Sequence, residues 1–92
     1  MAEPVIQLVA QKHGQNLANF GLEPGDYLIG RDPACSIAID SPEISRKHAK
    51  LHVAHDHFTI EDVGGRFGTH IDGQQIVGAV TIQPGQTITL GR

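Results

Sequence analysis

The sequence predicts an all-β domain, an antiparallel sandwich of about ten short strands. Three observations predict it. Apolar runs are short and many of them alternate with polar residues. Turn residues separate nearly every run, with eleven Gly and five Pro in 92 residues and only 4% aromatics. Helical spacing never persists for two turns.

The elements follow in order. A first run over 5–10 opens at Val5, and a second covers 16–20. After the Pro24-Gly25-Asp26 turn comes Tyr27-Leu28-Ile29, and then Ile37-Ala38-Ile39, which ends at Asp40-Ser41-Pro42. Ala49, Leu51 and Val53 alternate with Lys50 and His52, the period-2 signature of a half-buried strand. Phe58 and Ile60 repeat it beyond the hairpin connection Ala54-His55-Asp56. Thr69-His70-Ile71 meets Asp72-Gly73 and returns over 74–77, and Asp-Gly between apolar runs is a strong hairpin signal because both central residues need positive φ. Val80-Thr81-Ile82, the Pro84-Gly85-Gln86 turn and 87–90 complete the chain.

Ninety-two residues without a linker-like stretch predict one domain over 1–92. A chain this short buries about two thirds of its unfolded surface, which excludes a buried multi-cofactor enzyme. The net charge of −3 argues against nucleic acid as a partner. No apolar run approaches the roughly 20 residues of a membrane span, and Glu3 stands where a signal peptide carries basic residues. Cys35 is the only cysteine, so an intrachain disulfide is excluded, and a small core residue is its ordinary role. The expectation is a cytoplasmic module with no cofactor and no direct membrane binding.

In a sandwich, strands hold rigid the turns that carry function. Arg31, Arg46, Lys47 and Arg66 fall in or beside three inter-strand connections, although the chain is acidic overall. Solvated loop charge explains them if the connections lie apart. If the three share one end of the sandwich, they form an anion site, because guanidinium and ammonium donors match phosphate oxygens.

The motifs Tyr27-Leu28-Ile29-Gly30-Arg31, Ser45-Arg46-Lys47-His48-Ala49 and Gly68-Thr69-His70-Ile71-Asp72-Gly73, in this order and spacing, extend to 84–91. With Glu61-Asp62 between them, they make the chain resemble the forkhead-associated (FHA) family of phosphopeptide-binding modules. Gly-Arg or Ser-x-x-His alone would carry nothing; the series is specific and covers essentially the whole chain. The resemblance implies an eleven-stranded sandwich whose loops at one end bind phosphothreonine in a partner protein. Carried over by position, it implies that Arg31 grips the phosphate, Ser45 binds it through its hydroxyl and loop amides, and Arg46 adds a contact. Lys47 lies beside them, and Arg66, Phe67, Gly68 and Thr69 form the neighbouring ligand-facing loop. Gly30 and His48 support the site, the histidine by bracing the binding loop.

Two departures qualify the resemblance. The family usually has an asparagine, which holds the ligand backbone, where this chain has Phe67. The side chain offers no polar atom, so the pocket for phosphate is expected intact and the clamp on the flanking peptide weakened. The family also has one more strand, pairing back onto the first, after a segment like 85–90. The chain is therefore expected to be part of a larger protein, or its first strand keeps an open edge, giving a dimer through that edge or a disordered start.

The remaining chemistry is thin. His48 and His52 are four apart in an apparent strand, about 13 Å along the chain, too far to share a metal. His55 and His57 flank a hairpin tip without a further ligand set, and His13 and His70 add none, so no metal site is expected. Ser45 and His48 lack the elbow of a serine hydrolase, and neither a P-loop nor a His-Glu-x-x-His helix is present, so the chain is read as a non-enzyme. Two functions stand side by side. One is a phosphothreonine-dependent recognition module in signalling, reading the substrates of a Ser/Thr kinase. The other is a phosphate-independent FHA scaffold in a larger assembly, such as a secretion or membrane-associated machine.

Overall fold

A computed structural model describes residues 6–12 and 15–91, with the backbone alone for 10–12 and 15–17. Glu3, Val5 and His13, named above, lie outside the described residues. The described residues form ten strands and no helix: β1 (Ile6–Lys12), β2 (Gln15–Leu22), β3 (Gly25–Gly30), β4 (Ile37–Ala38), β5 (Ala49–Val53), β6 (Phe58–Asp62), β7 (Thr69–Ile71), β8 (Gln74–Gln75), β9 (Ala79–Ile82) and β10 (Ile88–Leu90). They pair as a five-stranded sheet in the order β4-β3-β5-β6-β9, a three-stranded sheet β10-β7-β8, and the β1-β2 hairpin.

Alternation sets which face is buried. Ala49, Leu51 and Val53 are buried while Lys50 and His52 between them are exposed, and Phe58 and Ile60 are buried on β6. Register then stacks these residues: Leu51 lies opposite Ile60, and Val53 opposite Phe58, which in turn faces Ile82. Leu22, Ile29, Ile37 and Ile71 complete one core, against which Ile6, Leu8 and Phe20 of the hairpin and Ile88 and Leu90 of β10 pack. Full burial of each such side chain contributes about 1.5–3 kcal/mol before entropy is counted.

Three local outcomes differ from the sequence reading. The pair β3–β4 is parallel, not antiparallel, with Ile29 opposite Ile37 and Gly30 opposite Ala38. The chain reverses twice over 31–36 through a turn in which the Ala34 N–H donates to Asp32 Oδ1 (2.9 Å) and the Cys35 N–H to the Asp32 carbonyl (2.9 Å). β8 ends at Gln75, so Ile76 and Val77 leave the strand, and Val77 is 92% exposed. Finally, His48 lies one residue before β5 and is buried, whereas His52 is exposed, so the two share no face.

The Asp72-Gly73 hairpin forms as expected, with φ of 49° and 84°. The Asp72 carboxylate accepts the Thr87 N–H (2.9 Å), tying the turn to the approach of β10. Among the described residues, β1 pairs only with β2, and β10 only with β7. Each of those two strands thus keeps one edge without a neighbour in the described sheets.

Candidate functional site

β3 runs toward the end of the sandwich at which β5 begins and β6 finishes, since β3–β5 and β5–β6 are both antiparallel. The connections 31–36, 39–48 and 63–68 therefore meet at one end. Backbone hydrogen bonds fasten the first two: the Arg31 N–H donates to the Ser45 carbonyl (3.0 Å) and the Asp32 N–H to the Arg46 carbonyl (3.2 Å). The Cys35 thiol, buried beneath, donates to the same Arg46 carbonyl (3.1 Å). Gly30 is needed at this junction, because a Cβ there would collide with the Arg46 carbonyl.

The third connection is fastened through Ser45 and His48. The Arg66 N–H donates to Ser45 Oγ (2.9 Å), so the serine oxygen is an acceptor from the protein and its own proton remains available. The Ser45 N–H points at His48 Nδ1 (3.1 Å), and His48 Nε2 lies 2.8 Å from the Gly68 carbonyl. A backbone N–H must donate and a carbonyl must accept. The imidazole therefore carries its proton on Nε2, a tautomer assigned by its partners. His48 is fully buried and has both nitrogens satisfied, so it joins two loops without facing a ligand. Gly65 packs flat on this ring, leaving no room for a Cβ.

A second brace lies behind it. Asp62 Oδ1 accepts the N–H groups of Gly64 (3.0 Å) and Gly65 (3.1 Å), while Asp62 Oδ2 accepts the Thr69 hydroxyl (2.9 Å). Thr69 is fully buried, and the Gly68 carbonyl is taken up by His48 and by the Gly91 N–H (3.0 Å). Thr69 and Gly68, placed in the ligand-facing loop by the sequence reading, turn the threonine hydroxyl and the glycine carbonyl inward and hold the loop. Asp62, unassigned in that reading, organises the loop; its signal was an acid seven residues before a threonine, which no short motif encodes.

Arg31, Arg46, Lys47 and Arg66 are all exposed. Among the described residues none of them has a carboxylate within 4.0 Å; the only such pairs join His52 to Asp26 and His57 to Asp56. The Arg66 guanidinium lies over the Phe67 ring at 5.3 Å from its centroid, a cation–π contact. Phe67 is half-buried. Arg31 and Arg46 line an open cleft of about 720 Å³ with Asp32, Pro33, Ala38 and Asp40. One serine hydroxyl and several exposed cations without a carboxylate within 4.0 Å among the described residues, gathered at one end of a braced scaffold, are equipped to bind an oxyanion.

Known proteins agree with this architecture. A family model described as FHA domain matches residues 27–91. The FHA domain of the CT664 protein from Chlamydia trachomatis superposes with a TM-score of 0.82 and 31% identity, over 92% of this chain and 86% of that one. The N-terminal FHA domain of Rad53p from S. cerevisiae, solved in complex with a phosphothreonine peptide, gives a TM-score of 0.75 at 19% identity, over 92% and 79%. Among curated proteins, the glycogen accumulation regulator GarA of Mycobacterium tuberculosis is 29% identical over 90 residues, 97% of this chain and 55% of GarA. The chain thus spans about half the length of that relative.

Proposed function

The chain belongs to the FHA domain family, and on that premise we propose that it recognises phosphothreonine in a partner protein, with Arg31, Ser45 and Arg46 holding the phosphate. The observation that carries the reading is the state of Ser45 and its neighbours. The serine oxygen accepts the Arg66 N–H, which leaves its own proton to donate to a ligand, and Arg31 and Arg46, with no carboxylate within 4.0 Å among the described residues, lie on the adjoining connections. The phosphothreonine complex of Rad53p, a structural neighbour, supports the ligand class. Lys47 and Arg66 add positive potential at the rim.

The energetics suit a reader that binds and releases. A phosphothreonine carries about −1.5 to −2 charges at pH 7. Three or four charge-assisted hydrogen bonds, each about 1.5–3 kcal/mol, less the cost of ordering the peptide, give affinity on the order of micromolar. Binding weakens as pH falls below about 6, where the phosphate takes up a proton.

One observation favours the second reading, a phosphate-independent scaffold. Phe67 stands where the family has a backbone-holding asparagine, and its ring is engaged by Arg66. Fluorescence anisotropy separates the two, using a degenerate phosphothreonine peptide pool beside its phosphoserine and unphosphorylated counterparts. Saturable binding of the phosphothreonine pool alone, reduced at least about a hundredfold in Arg31→Ala, is the expected result. No phosphorylation-dependent binding up to about millimolar peptide would retire the reader and leave the scaffold.

A further inference from the structure

The cleft beside the phosphate-binding loops contains more than phosphate binding uses. Its lining holds two arginines and two aspartates, Arg31, Arg46, Asp32 and Asp40, and no ion pair within 4.0 Å forms between them. The backbone keeps them apart while presenting both signs. The parallel pair Gly30–Ala38 continues one step as the Ile39 N–H donates to the Gly30 carbonyl (2.8 Å), which sets Asp40 abreast of the 31–32 segment. The chain then folds under at Ser41, which is buried, and the Ser41 N–H donates back to the Ile39 carbonyl (3.0 Å). Asp40 stays exposed at that bend.

The two aspartates are not equivalent. One oxygen of Asp32 is used by the Ala34 N–H, which fixes the turn. Asp40 lines the cleft, is exposed, and its carboxylate has no hydrogen bond or ion pair within the described residues, so its full acceptor capacity is available. An anionic phosphate placed on Arg31 and Arg46 leaves that carboxylate as an uncompensated like charge nearby. A segment that also carries a cation removes the repulsion and gains an attraction.

We infer that Asp40 is a specificity-determining residue that selects phosphothreonine segments bearing a lysine or arginine close to the phosphorylated residue. The inference rests on the phosphothreonine reading above and deepens it from a phosphate pocket to a two-sign recognition site. An acidic residue at the same ligand position is rejected, which is how an exposed charge yields discrimination more than raw affinity.

The test is a scan of phosphothreonine peptides in a neutral alanine–serine background. A single residue is walked through the four positions on each side of the phosphothreonine, as Lys, Gln or Glu. At one or two positions Lys should bind about three- to fivefold tighter than Gln, and Glu weaker by a similar factor, the size expected of an exposed pair. Asp40→Asn should erase that spread while the Gln peptides bind as well as before or better. Asp56→Asn, which removes the same charge far from the cleft, should leave the spread intact and so excludes a net-charge effect. Gln peptides that bind with Lys and Glu within twofold of them at every position would overturn the inference and leave the phosphate reading standing. A spread that survives Asp40→Asn would overturn it equally. Failure of every peptide to bind would overturn the reading beneath it, and this inference with it.

Discussion

The two ends of the sandwich treat charge in opposite ways. At the end where β3 starts and β5 finishes, charges answer one another: His52 Nδ1 lies 2.7 Å from Asp26 Oδ1, and His57 Nδ1 lies 2.8 Å from Asp56 Oδ1. These groups are exposed, and the pairs add little to stability. At the other end, the loop cations have no anionic partner among the described residues, and the loops are held by buried neutral groups, His48 and Thr69, together with Asp62 behind them. The difference teaches where binding capacity comes from. A site that must offer unpaired cations cannot be braced by salt bridges to those cations. Its rigidity has to come from hydrogen bonds made by other residues.

The largest effect should come from removing that neutral brace. His48→Ala leaves the Ser45 N–H and the Gly68 carbonyl without their partner and opens a void beneath Gly65. Each orphaned buried group costs about 1–3 kcal/mol, so urea denaturation should show a loss of about 2–5 kcal/mol. Arg31→Ala, in contrast, should leave the urea midpoint nearly unmoved while binding disappears. If the two variants lost stability equally, the division between bracing and binding residues would be wrong.

Most of the sandwich is legible in the sequence because one-sided burial writes itself as alternation: Ala49, Leu51 and Val53 inward, Lys50 and His52 outward. Asp72-Gly73 is legible for a different reason, since few other pairs adopt positive φ twice in succession. The site is legible only as far as the motif runs. Arg31, Ser45 and Arg46 fall on connections that meet at one end of the sandwich, and His48 joins the Ser45 loop to Gly68. Thr69 was assigned to the ligand side because adjacency in sequence says nothing about direction. In a three-residue strand that alternates inward and outward, Thr69 and Ile71 take the core side. Asp62 was missed because its partners are two, three and seven residues away and meet only when the 63–68 connection folds back. The parallel step β3–β4 was missed because a two-residue strand has too little pattern to declare its direction.

A middle-sized effect lies at Phe67. If the asparagine of the family holds the ligand backbone, Phe67→Asn should tighten phosphothreonine binding by about three- to tenfold through one or two added hydrogen bonds. The same change removes the ring beneath the Arg66 guanidinium. Part of the gain is therefore offset if that stack orients Arg66 toward phosphate. Titration of Phe67→Asn and Arg66→Ala, singly and together, separates the two contributions, since coupled residues depart from additivity. Binding weakened by Phe67→Asn would mean that the aromatic stack, not the backbone clamp, is what this chain uses.

The smallest effect belongs to the far end, and pH exposes it. The hydrogen bond from His52, partly opposed by desolvation, holds the Asp26 carboxyl below the ordinary aspartate range; the hydrogen bond from His57, with one from its own backbone, does the same for Asp56. A carboxyl whose folded value is lowered adds stability that is present above its unfolded value, about pH 4, and is lost as pH falls through the lowered folded one. Phosphate binding fails earlier, below about pH 6, because that proton goes to the ligand. Between about pH 6 and pH 4 the protein should therefore lose its ligand with its melting temperature almost unchanged. Below about pH 4 the melting temperature should drop more steeply in the parent than in the double variant Asp26→Asn with Asp56→Asn. Differential scanning calorimetry from pH 7 to pH 3 on both proteins measures the difference. Parallel profiles would show that the His–Asp pairs contribute nothing to the fold. The far end would then differ from the binding end only in where its charges happen to sit, and the contrast would rest wholly on the buried brace around His48.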